Sequence, residues 1–224
     1  LKKKKKLDIT EVEAQNKLEY FRKQNPNYLF PSFDTIAGTG KNGAIVHYRA
    51  TKNNTKLLKK NEIFLCDSGG QYKFGTTDVT RTICFKNQNK KIKNIFTNVL
   101  KGHIAVVKTD LNKKKTGKLI DIEARKFLRK NNQDYNHGTG HGVGFFLNVH
   151  EGPQAISKRN SVKIQNGMIL SNEPGYYKQG KFGIRIENLI YANKVKNKLS
   201  FKNLTLAPIE KDLINFKLLT KKEK

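Results

Sequence analysis

Residues 66–82 read CDSGGQYKFGTTDVTRT, with Asp67 and Asp78 near the two ends of the segment. The β-prone residues around them predict strands over 63–67 and 77–85, and the glycines between predict an irregular hairpin. Aspartate is disfavoured inside strands, and two carboxylates on facing strands repel each other unless a cation lies between them. Turn or edge positions are the alternative explanation for the pair.

Two glutamates repeat this pattern in the second half of the chain. Glu173 ends a predicted strand over 168–173, and Glu187 lies in a predicted strand over 183–192. Between the two carboxylate pairs lies HGTGHGVG (137–144), whose glycines allow close backbone approach. Three of the five histidines of the chain lie within 14 residues that begin at this segment: His137, His141 and His150.

Four carboxylates with imidazole, and without a thiolate, form a hard ligand set. Such a set suits Mn²⁺, Co²⁺ or Zn²⁺ in a catalytic site better than a structural zinc site, which uses Cys and His. Because successive strand side chains point to opposite faces, Cys66 is expected to face away from the metal side of Asp67. Bridging carboxylates can hold two divalent ions about 3.5–4 Å apart. The residues therefore predict a two-metal site, without deciding which histidine is a ligand.

A helix is predicted near the N-terminus. Thr10 and Glu13 have the spacing of a capping box, and the helix should extend to about Gln24, before Asn25-Pro26. The side chains that share one face of it are Ala14, Leu18 and Phe21. The lysines of 2–6 precede it and are expected to form a mobile tail or the end of a linker.

Apolar spacing predicts two further helices, over 90–107 and 119–131, with His103 as a structural residue of the first. Further short strands are predicted over 44–48 and near 143–150. Because helices and antiparallel strands alternate without a βαβ rhythm, we expect a single α+β domain.

The composition restricts the classes of function. The net charge is +27, but it comes from 38 Lys and 7 Arg scattered along the chain. Nucleic-acid sites favour Arg and stacking aromatics, so nucleic acid is not the expected partner. No apolar run approaches the length of a membrane span, and the basic start leads into a polar helical pattern, which argues against a signal peptide. The two cysteines form no disulfide framework, so we expect a cytoplasmic protein without membrane partners.

Six motifs together resemble the pita-bread metallopeptidases and, within them, aminopeptidase P (Xaa-Pro aminopeptidase) of the cytosolic eukaryotic-like type. The resemblance covers residues from about 8 to 218. The motifs are FDTIAGTGKNGAIVHY (33–48), CDSGGQYKFGTTDVTRT (66–82), HGTGHGVGFFLNVHEGP (137–153), SNEPGYY (171–177), GIRIEN (183–188) and TLAPI (205–209). The fold that this resemblance implies is the pita-bread fold, with pseudo-twofold halves and a curved antiparallel sheet covered by helices.

The resemblance implies a ligand set for two divalent ions, of which Mn²⁺ is the first choice. Asp67 resembles the chelating ligand of one ion, and Asp78 and Glu187 resemble the bridging carboxylates. His141 and Glu173 resemble the ligands of the other ion. Glu173 would also act as general base and then acid.

The resemblance also assigns residues around the substrate. His150 would stabilise the scissile carbonyl oxygen, while His47 and His137 would orient the substrate at the proline site. Arg185 matches an arginine that holds the carboxylates, and Tyr177 a tyrosine close to the site. Phe74 stands where the family often has an acidic residue; it lies outside the ligand set, so little effect on metal binding is expected.

The implied reaction is hydrolysis of the bond between an N-terminal residue and a following proline, by attack of a metal-bridging hydroxide. The alternatives are a prolidase acting on Xaa-Pro dipeptides, a methionine aminopeptidase, a non-catalytic binding module on the same fold and a nucleic-acid binder. The family has further N-terminal domains and a C-terminal tail, so residues 1–224 are expected to be the catalytic domain alone. Homodimerisation is compatible with the resemblance.

Overall fold

The computed structural model describes residues 8–146 and 148–224, so the predicted tail of 2–6 lies outside the described residues. The helices are α1 (Glu11–Arg22), α2 (Lys90–Val107) and α3 (Gly117–Arg129). The strands are β1 (Tyr28–Pro31), β2 (Ile36–Thr39), β3 (Ile63–Ser68), β4 (Gly70–Tyr72), β5 (Gly75–Thr76), β6 (Val79–Cys84), β7 (Gly140–His141), β8 (Ala155–Ile156), β9 (Ile169–Asn172), β10 (Gly175–Lys178), β11 (Phe182–Arg185), β12 (Asn188–Val195) and β13 (Lys198–Asn203). Short 3-10 helices cover Gly40–Ala44, Lys211–Leu213 and Phe216–Leu218.

Helix α1 begins at the predicted capping box and is anchored by a buried glutamate. Thr10 Oγ1 accepts from Glu13 N at 3.2 Å, and Thr10 N donates to Glu13 Oε2 at 2.7 Å. The fully buried carboxylate of Glu11 accepts from Thr39 N at 2.7 Å and from the Tyr48 hydroxyl at 3.0 Å. Phe21 is exposed, so this carboxylate, more than an apolar stripe, fixes α1 against the segment that carries His47.

The prediction of a strand over 44–48 is wrong. The chain forms strand β2 earlier in the same motif and then the 3-10 helix Gly40–Ala44, closed by a hydrogen bond of 3.1 Å from Ile45 N to Asn42 O. The β-prone end of the predicted strand is held instead by the Tyr48 hydroxyl, which donates to Glu11 and accepts from Asn42 Nδ2 at 2.8 Å. These side-chain bonds outweigh the local strand propensity.

The first half of the fold is built on the predicted hairpin. Strand β3 is central in the order β2-β3-β6, and all its pairings are antiparallel. Asp67 pairs with Thr80, so Asp78, two residues before Thr80 and just before β6, is a diagonal neighbour of Asp67. Cys66 packs with the core on the opposite face, as predicted, and neither cysteine forms a disulfide.

The second half contains the antiparallel order β13-β12-β9. Asn188 pairs with Asn172, so Glu187 and Glu173 both lie immediately beyond one end of this ladder. The single strand predicted over 183–192 is divided between β11 and β12, and Glu187 lies at the break. That break lets Glu187 N turn towards the first half, where it donates to Thr80 O at 3.1 Å.

The two halves meet where β6 approaches β11. Arg185 N donates to Thr82 Oγ1 and Thr82 Oγ1 donates to Arg185 O, each at 3.0 Å. Together with the bond between Glu187 and Thr80, they bring all four carboxylate positions to one junction. Antiparallel strands and covering helices confirm the α+β class.

Helices α2 and α3 pack over the sheets and contribute to the two largest core clusters. Asn89 caps α2, accepting from Ile92 N at 3.0 Å, and α2 spans the predicted 90–107. Helix α3 begins and ends two residues earlier than predicted, which is the usual uncertainty of helix ends. The largest core cluster joins α2 to the sheet strands: Ile63, Cys84, Ile95, Phe96, Val99, Leu100, Leu128, Tyr135, Ile184, Ile186 and Leu213. No helix in the described part of the chain has the length and apolarity to cross a membrane.

The strand predicted near 143–150 is wrong for the residues that the structure describes; Leu147 lies outside them. The strand in this motif is the short β7, and the chain then forms a loop, which Glu151 N closes by donating to Gly142 O at 2.9 Å. Phe146 has a φ of 53°, a conformation incompatible with a continuous strand.

Candidate metal and peptidase site

A cavity of about 500 Å³ lies at the junction of the two halves. It is lined by all five residues predicted as metal ligands, namely Asp67, Asp78, His141, Glu173 and Glu187. The other predicted residues that line it are His47, His137, His150 and Arg185. Tyr177 is hydrogen-bonded to two of these. The structure therefore brings together every residue that the sequence assigned to the site, while their roles as ligands stay predictions.

The ligand atoms of Asp78, His141 and Glu187 lie within 4.8 Å of one another. His141 Nε2 is 3.3 Å from Asp78 Oδ2 and 3.5 Å from Glu173 Oε1. Asp78 and Glu187 are nearly fully buried, and each lies just outside a strand, not within one as predicted. A position at a strand end frees the side chain from the sheet and directs it into the junction.

His141 is oriented by its backbone neighbours. Its Nδ1 lies 2.9 Å from Gly142 O, and because a carbonyl only accepts, Nδ1 carries the proton. Nε2 is then the nitrogen that faces the carboxylates with a lone pair in the neutral ring. Ser171 Oγ accepts from His141 N at 2.9 Å and donates to Glu173 Oε1 at 2.9 Å, which links the two predicted ligands of one ion.

Arg185 holds the other side of the cluster. It is buried, and it donates to Asp67 Oδ2 and the Tyr177 hydroxyl, each at 2.6 Å, and to Thr80 Oγ1 at 3.0 Å. Thr80 Oγ1 in turn donates to Glu187 Oε2 at 2.7 Å. One guanidinium thus fixes an oxygen of Asp67 directly and one of Glu187 through a hydroxyl.

The remaining carboxylate oxygens provide a test of whether a cation fits. Asp67 Oδ1 and Asp78 Oδ1 are buried, and no hydrogen-bond partner is found for either among residues 8–146 and 148–224. A buried oxygen without a donor costs about 1–3 kcal/mol, and more when it is charged. Both oxygens belong to side chains that line the cavity. A hard divalent cation fits this donor set, because carboxylate oxygens are the ligands that such cations prefer.

Mutual repulsion in the cluster is visible in its pKa values. Burial, followed by the charges of Asp78 and Asp67, holds the pKa of Glu187 well above its ordinary value. Burial also raises the pKa of Glu173 to about 7, although His141 and Arg185 oppose the shift. Without a cation, the simultaneous ionisation of these carboxylates is therefore unfavourable.

The pKa of His141 also reflects the excess of negative charge in the cluster, because negative neighbours favour the protonated imidazole. Burial acts to lower it, but the hydrogen bond with Asp78 and the charge of Glu173 raise it to about 9. A cation held by these residues would relieve both effects, because it would take the place of the proton on the imidazole and screen the carboxylates.

His137 has a fixed tautomer in the structure. Its Nδ1 lies 2.7 Å from Gly138 O and must donate, so Nε2 accepts from the Tyr177 hydroxyl at 2.9 Å. Burial and the charge of Arg185 lower the pKa of His137 to about 4, which keeps the ring neutral. His150 is more accessible, and its ring centroid lies 4.0 Å from that of His141.

Two residues of the site were not assigned from the sequence. Thr80 and Ser171 stand inside the quoted motifs, in TTDVTRT and SNEPGYY, but a hydroxyl two residues from a carboxylate is too common to single out. His103, assigned a structural role, is buried in α2, and its carbonyl accepts from Asn172 Nδ2 at 3.0 Å.

Comparison with known proteins agrees with this geometry. Residues 1–194 match Metallopeptidase family M24. The chain is 48% identical over 227 residues to a probable Xaa-Pro aminopeptidase P of Laccaria bicolor, covering 96% of the chain and 35% of that protein. It is 46% identical to a probable Xaa-Pro aminopeptidase P of Aspergillus niger, covering 98% of the chain and 38% of that protein. The chain thus spans little more than a third of the length of these relatives.

Solved structures give the same result for the fold. X-prolyl aminopeptidase from Caenorhabditis elegans, described as a cytosolic enzyme with a di-nuclear active site, superposes with a TM-score of 0.88 at 39% identity, over 96% of this chain and 36% of its own. Prolidase from Pyrococcus furiosus superposes with a TM-score of 0.79 at 31% identity, over 88% of this chain and 56% of its own. These likenesses confirm the pita-bread fold and the resemblance to aminopeptidase P.

Proposed function

The chain belongs to metallopeptidase family M24, and on this basis we propose that it is the catalytic domain of a dinuclear metal-dependent aminopeptidase. The proposed reaction is hydrolysis of the bond between an N-terminal residue and a following proline. One observation carries the proposal: the five predicted ligands converge on a single cavity, where two buried carboxylate oxygens lack hydrogen-bond partners among the described residues.

The proposed ligands divide between two ions. Asp67 would chelate one ion, His141 and Glu173 would bind the other, and Asp78 and Glu187 would bridge them. The hydrogen bond from Arg185 to Asp67 Oδ2 orients this carboxylate, and its Oδ1 has no partner among the described residues. When bound, such a pair of ions lowers the pKa of a coordinated water and stabilises negative charge on the carbonyl oxygen. We propose Mn²⁺, with Co²⁺ or Zn²⁺ as alternatives, because the donors are hard.

Side chains of the protein would transfer the protons of the reaction and orient the substrate. Glu173 would take a proton from the attacking water and deliver it to the proline nitrogen as the peptide bond breaks. Its Oε1 is held by Ser171, which supports a defined carboxylate orientation. His150, on the accessible side of the cavity, would donate to the oxygen of the scissile carbonyl.

His47 and His137 would orient the substrate around its proline. The neutral His137 ring, fixed by Gly138 and Tyr177, presents a rigid surface in the same cavity as His47. A peptide bond before proline lacks an N–H and has a restricted geometry, so a preformed pocket is an advantage in binding it. Rigid positioning of the reacting groups supplies part of the rate enhancement.

Prolidase activity is the main alternative, because a prolidase shares the fold at 31% identity. Two facts favour the aminopeptidase. Identity is higher to the C. elegans X-prolyl aminopeptidase, at 39%, and to the curated aminopeptidase P relatives, at 46–48% over almost the whole chain. The same likeness supports a cytosolic location, while homodimerisation stays a prediction.

Peptide assays test the proposal. The chain is loaded with Mn²⁺, its metal content is measured, and Ala-Pro-Ala, Ala-Pro and Met-Ala-Ala are supplied with and without a chelator. We expect two ions per chain and release of alanine from Ala-Pro-Ala only. Turnover of Ala-Pro alone would establish a prolidase, and release of methionine from Met-Ala-Ala a methionine aminopeptidase. A chain that binds no metal and cleaves none of the three would overturn the proposal in favour of a binding module.

A pair of matched variants separates site chemistry from general charge effects. Glu187→Gln changes a buried carboxylate of the cavity and should abolish both metal binding and turnover. Glu123→Gln makes the same chemical change at a partly exposed glutamate of α3, which forms ion pairs with Lys114 and Lys126 outside the cavity, and should leave metal binding and turnover intact.

A further inference from the structure

Helix α3 carries a buried arginine that faces the loop containing His137. Arg125 is 1% exposed, and its Nε donates to Asp121 Oδ2 at 2.7 Å within the helix. Its terminal nitrogens leave the helix: Nη1 donates to Tyr135 O at 2.6 Å, and Nη2 to His137 O at 2.7 Å. Nη1 also donates to Asp134 Oδ1 at 2.7 Å. A single side chain therefore binds three points of the loop.

Stability alone does not explain this arrangement. Removing a buried ion pair in favour of apolar residues is often neutral or stabilising, because desolvation of the charges offsets their attraction. Yet Asp121 and Arg125 are both almost fully buried. The hydrogen bonds of Arg125 do not end on Asp121 but extend to backbone carbonyls on either side of Asn136. The arrangement specifies a loop conformation.

Asp121 extends the same network to the metal side of the cavity. Its Oδ1 accepts from Thr139 Oγ1 at 2.6 Å, and the Tyr135 hydroxyl is hydrogen-bonded to the same Thr139 oxygen. The backbone oxygen of Thr139 accepts from Glu173 N at 2.8 Å. The pair on α3 therefore holds the loop at both ends of the segment 135–139, and the far end is bonded to a proposed catalytic glutamate.

Aromatic packing adds a second path from Arg125 to His137. The guanidinium carbon lies 3.9 Å from the centroid of the Tyr135 ring. The Tyr135 ring lies 4.9 Å from the His137 ring, which in turn lies 5.4 Å from the Tyr177 ring. The His137 imidazole is thus packed between two tyrosines, one of which contacts Arg125.

We propose that Arg125, supported by Asp121, is a positioning residue that fixes the orientation of His137 in the substrate cavity. It acts through the carbonyls of Tyr135 and His137 and through the Tyr135 ring. Its catalytic consequence rests on the proposed function; the positioning itself does not. The planar guanidinium is required, because its fork of donors spans several acceptors that a single ammonium group cannot reach together.

The first test is kinetic and uses the Mn²⁺-loaded chain. Arg125→Met and Arg125→Lys are compared with Phe201→Leu, which disturbs the second core cluster by removing part of a buried ring. All are assayed on Ala-Pro-Ala at a temperature well below their unfolding midpoints. We expect kcat/KM to fall about 10- to 100-fold in both Arg125 variants, with the bound metal unchanged, and to stay within about twofold in Phe201→Leu. Wild-type kcat/KM in Arg125→Lys would overturn the proposal.

The second test does not depend on turnover. Long-range proton–nitrogen NMR reports which nitrogen of the His137 ring carries the proton. The wild-type chain should show the single Nδ1–H tautomer set by Gly138 O, whereas both Arg125 variants should show mixed or broadened tautomers. A single unchanged tautomer in folded Arg125→Met would overturn the proposal. If the wild-type chain binds no metal and cleaves no peptide, the proposed function fails and this measurement still decides the role of Arg125.

Discussion

Arg185 Nη2 lies 2.6 Å from Asp67 Oδ2, and this ion pair is buried at both ends. Because Oδ2 is engaged, Oδ1 is the carboxylate oxygen left without a partner among the described residues. The arginine therefore orients the Asp67 carboxylate in the cavity. Through Thr80 it also acts on Glu187, so one buried charge organises both halves of the predicted ligand set.

Replacement of Arg185 should weaken metal binding and destabilise the fold. Arg185→Met leaves Asp67, Tyr177 and Thr80 without their donor, so we expect metal affinity to fall about 10- to 100-fold. Loss of one partner from a buried ion pair should cost about 3–5 kcal/mol in the free energy of unfolding. Calorimetric titration with Mn²⁺ and urea unfolding measure the two effects.

A surface arginine provides the control for this change. Arg129 is paired with Asp134 at 3.0 Å, and the two side chains are 43% and 34% exposed. Arg129→Met should alter the free energy of unfolding by no more than about 1 kcal/mol and leave Mn²⁺ affinity unchanged. Equal losses of affinity in the two variants would show that Arg185 acts only through overall charge.

Asp78→Asn should have opposite effects on the metal-free and metal-loaded protein. Burial raises the pKa of Asp78, with the charge of Asp67 adding to the shift against the hydrogen bond from His141. A raised folded pKa means that stability is lost as pH rises through it, so the ionised side chain destabilises the metal-free fold at neutral pH. The asparagine variant should thus unfold at a higher temperature than wild type in the presence of a chelator.

The same variant should lose the benefit of metal. A neutral amide bridges two cations poorly, so saturating Mn²⁺ should raise its unfolding midpoint far less than that of wild type, and turnover should fall more than about 100-fold. Thermal unfolding with and without Mn²⁺ measures the difference. Full turnover with two bound ions would contradict the bridging role of Asp78.

The sequence predicted the parts of the fold that depend on local patterns. The capping box at Thr10, helix α2 and the hairpin of β3 and β6 all follow from short-range spacing, and the structure contains each. The convergence of the site residues on one cavity required the family resemblance, because composition and spacing leave open which histidine belongs with the carboxylates. The segment 44–48 was mispredicted because a long-range contact, from Tyr48 to Glu11, decides its conformation.

The residues around the predicted ligands were harder to predict, for the same physical reason. Thr80 acts through hydroxyl hydrogen bonds across the junction of the two halves, and Ser171 links His141 to Glu173 within the second half. Arg125 reaches the His137 loop only because α3 packs beside it. None of these relations has a fixed spacing along the chain, so no pattern in one sequence reports them.

Gly140 should tolerate no side chain, because β7 approaches β9 closely at this point. A Cβ on Gly140 would lie 2.0 Å from Ser171 O and 2.9 Å from Ser171 C, which are backbone atoms that cannot rotate away. Gly140→Ala should therefore separate His141 from Glu173, lowering Mn²⁺ affinity and destabilising the fold by about 1–3 kcal/mol. Gly75→Ala is the matched control, since a Cβ on Gly75 would meet no heavy atom of the described residues within 4 Å, and it should leave Mn²⁺ affinity unchanged. Equal losses of affinity in the two variants would contradict the role of this close approach.

His103 should make the fold sensitive to acid. Burial, with a contribution from Arg81, lowers the pKa of His103 to about 3. The folded pKa is depressed below that of the unfolded chain, so protons bind the unfolded state first as pH falls from about 6.5 towards 3. Stability is lost over that window at up to about 1.4 kcal/mol per pH unit, or about 2 kcal/mol between pH 7.5 and 5.0. His103→Leu lacks this contribution, so urea unfolding with chelator present should show a pH dependence smaller by that amount. Parallel pH profiles for wild type and variant would mean that His103 is protonated in the folded protein.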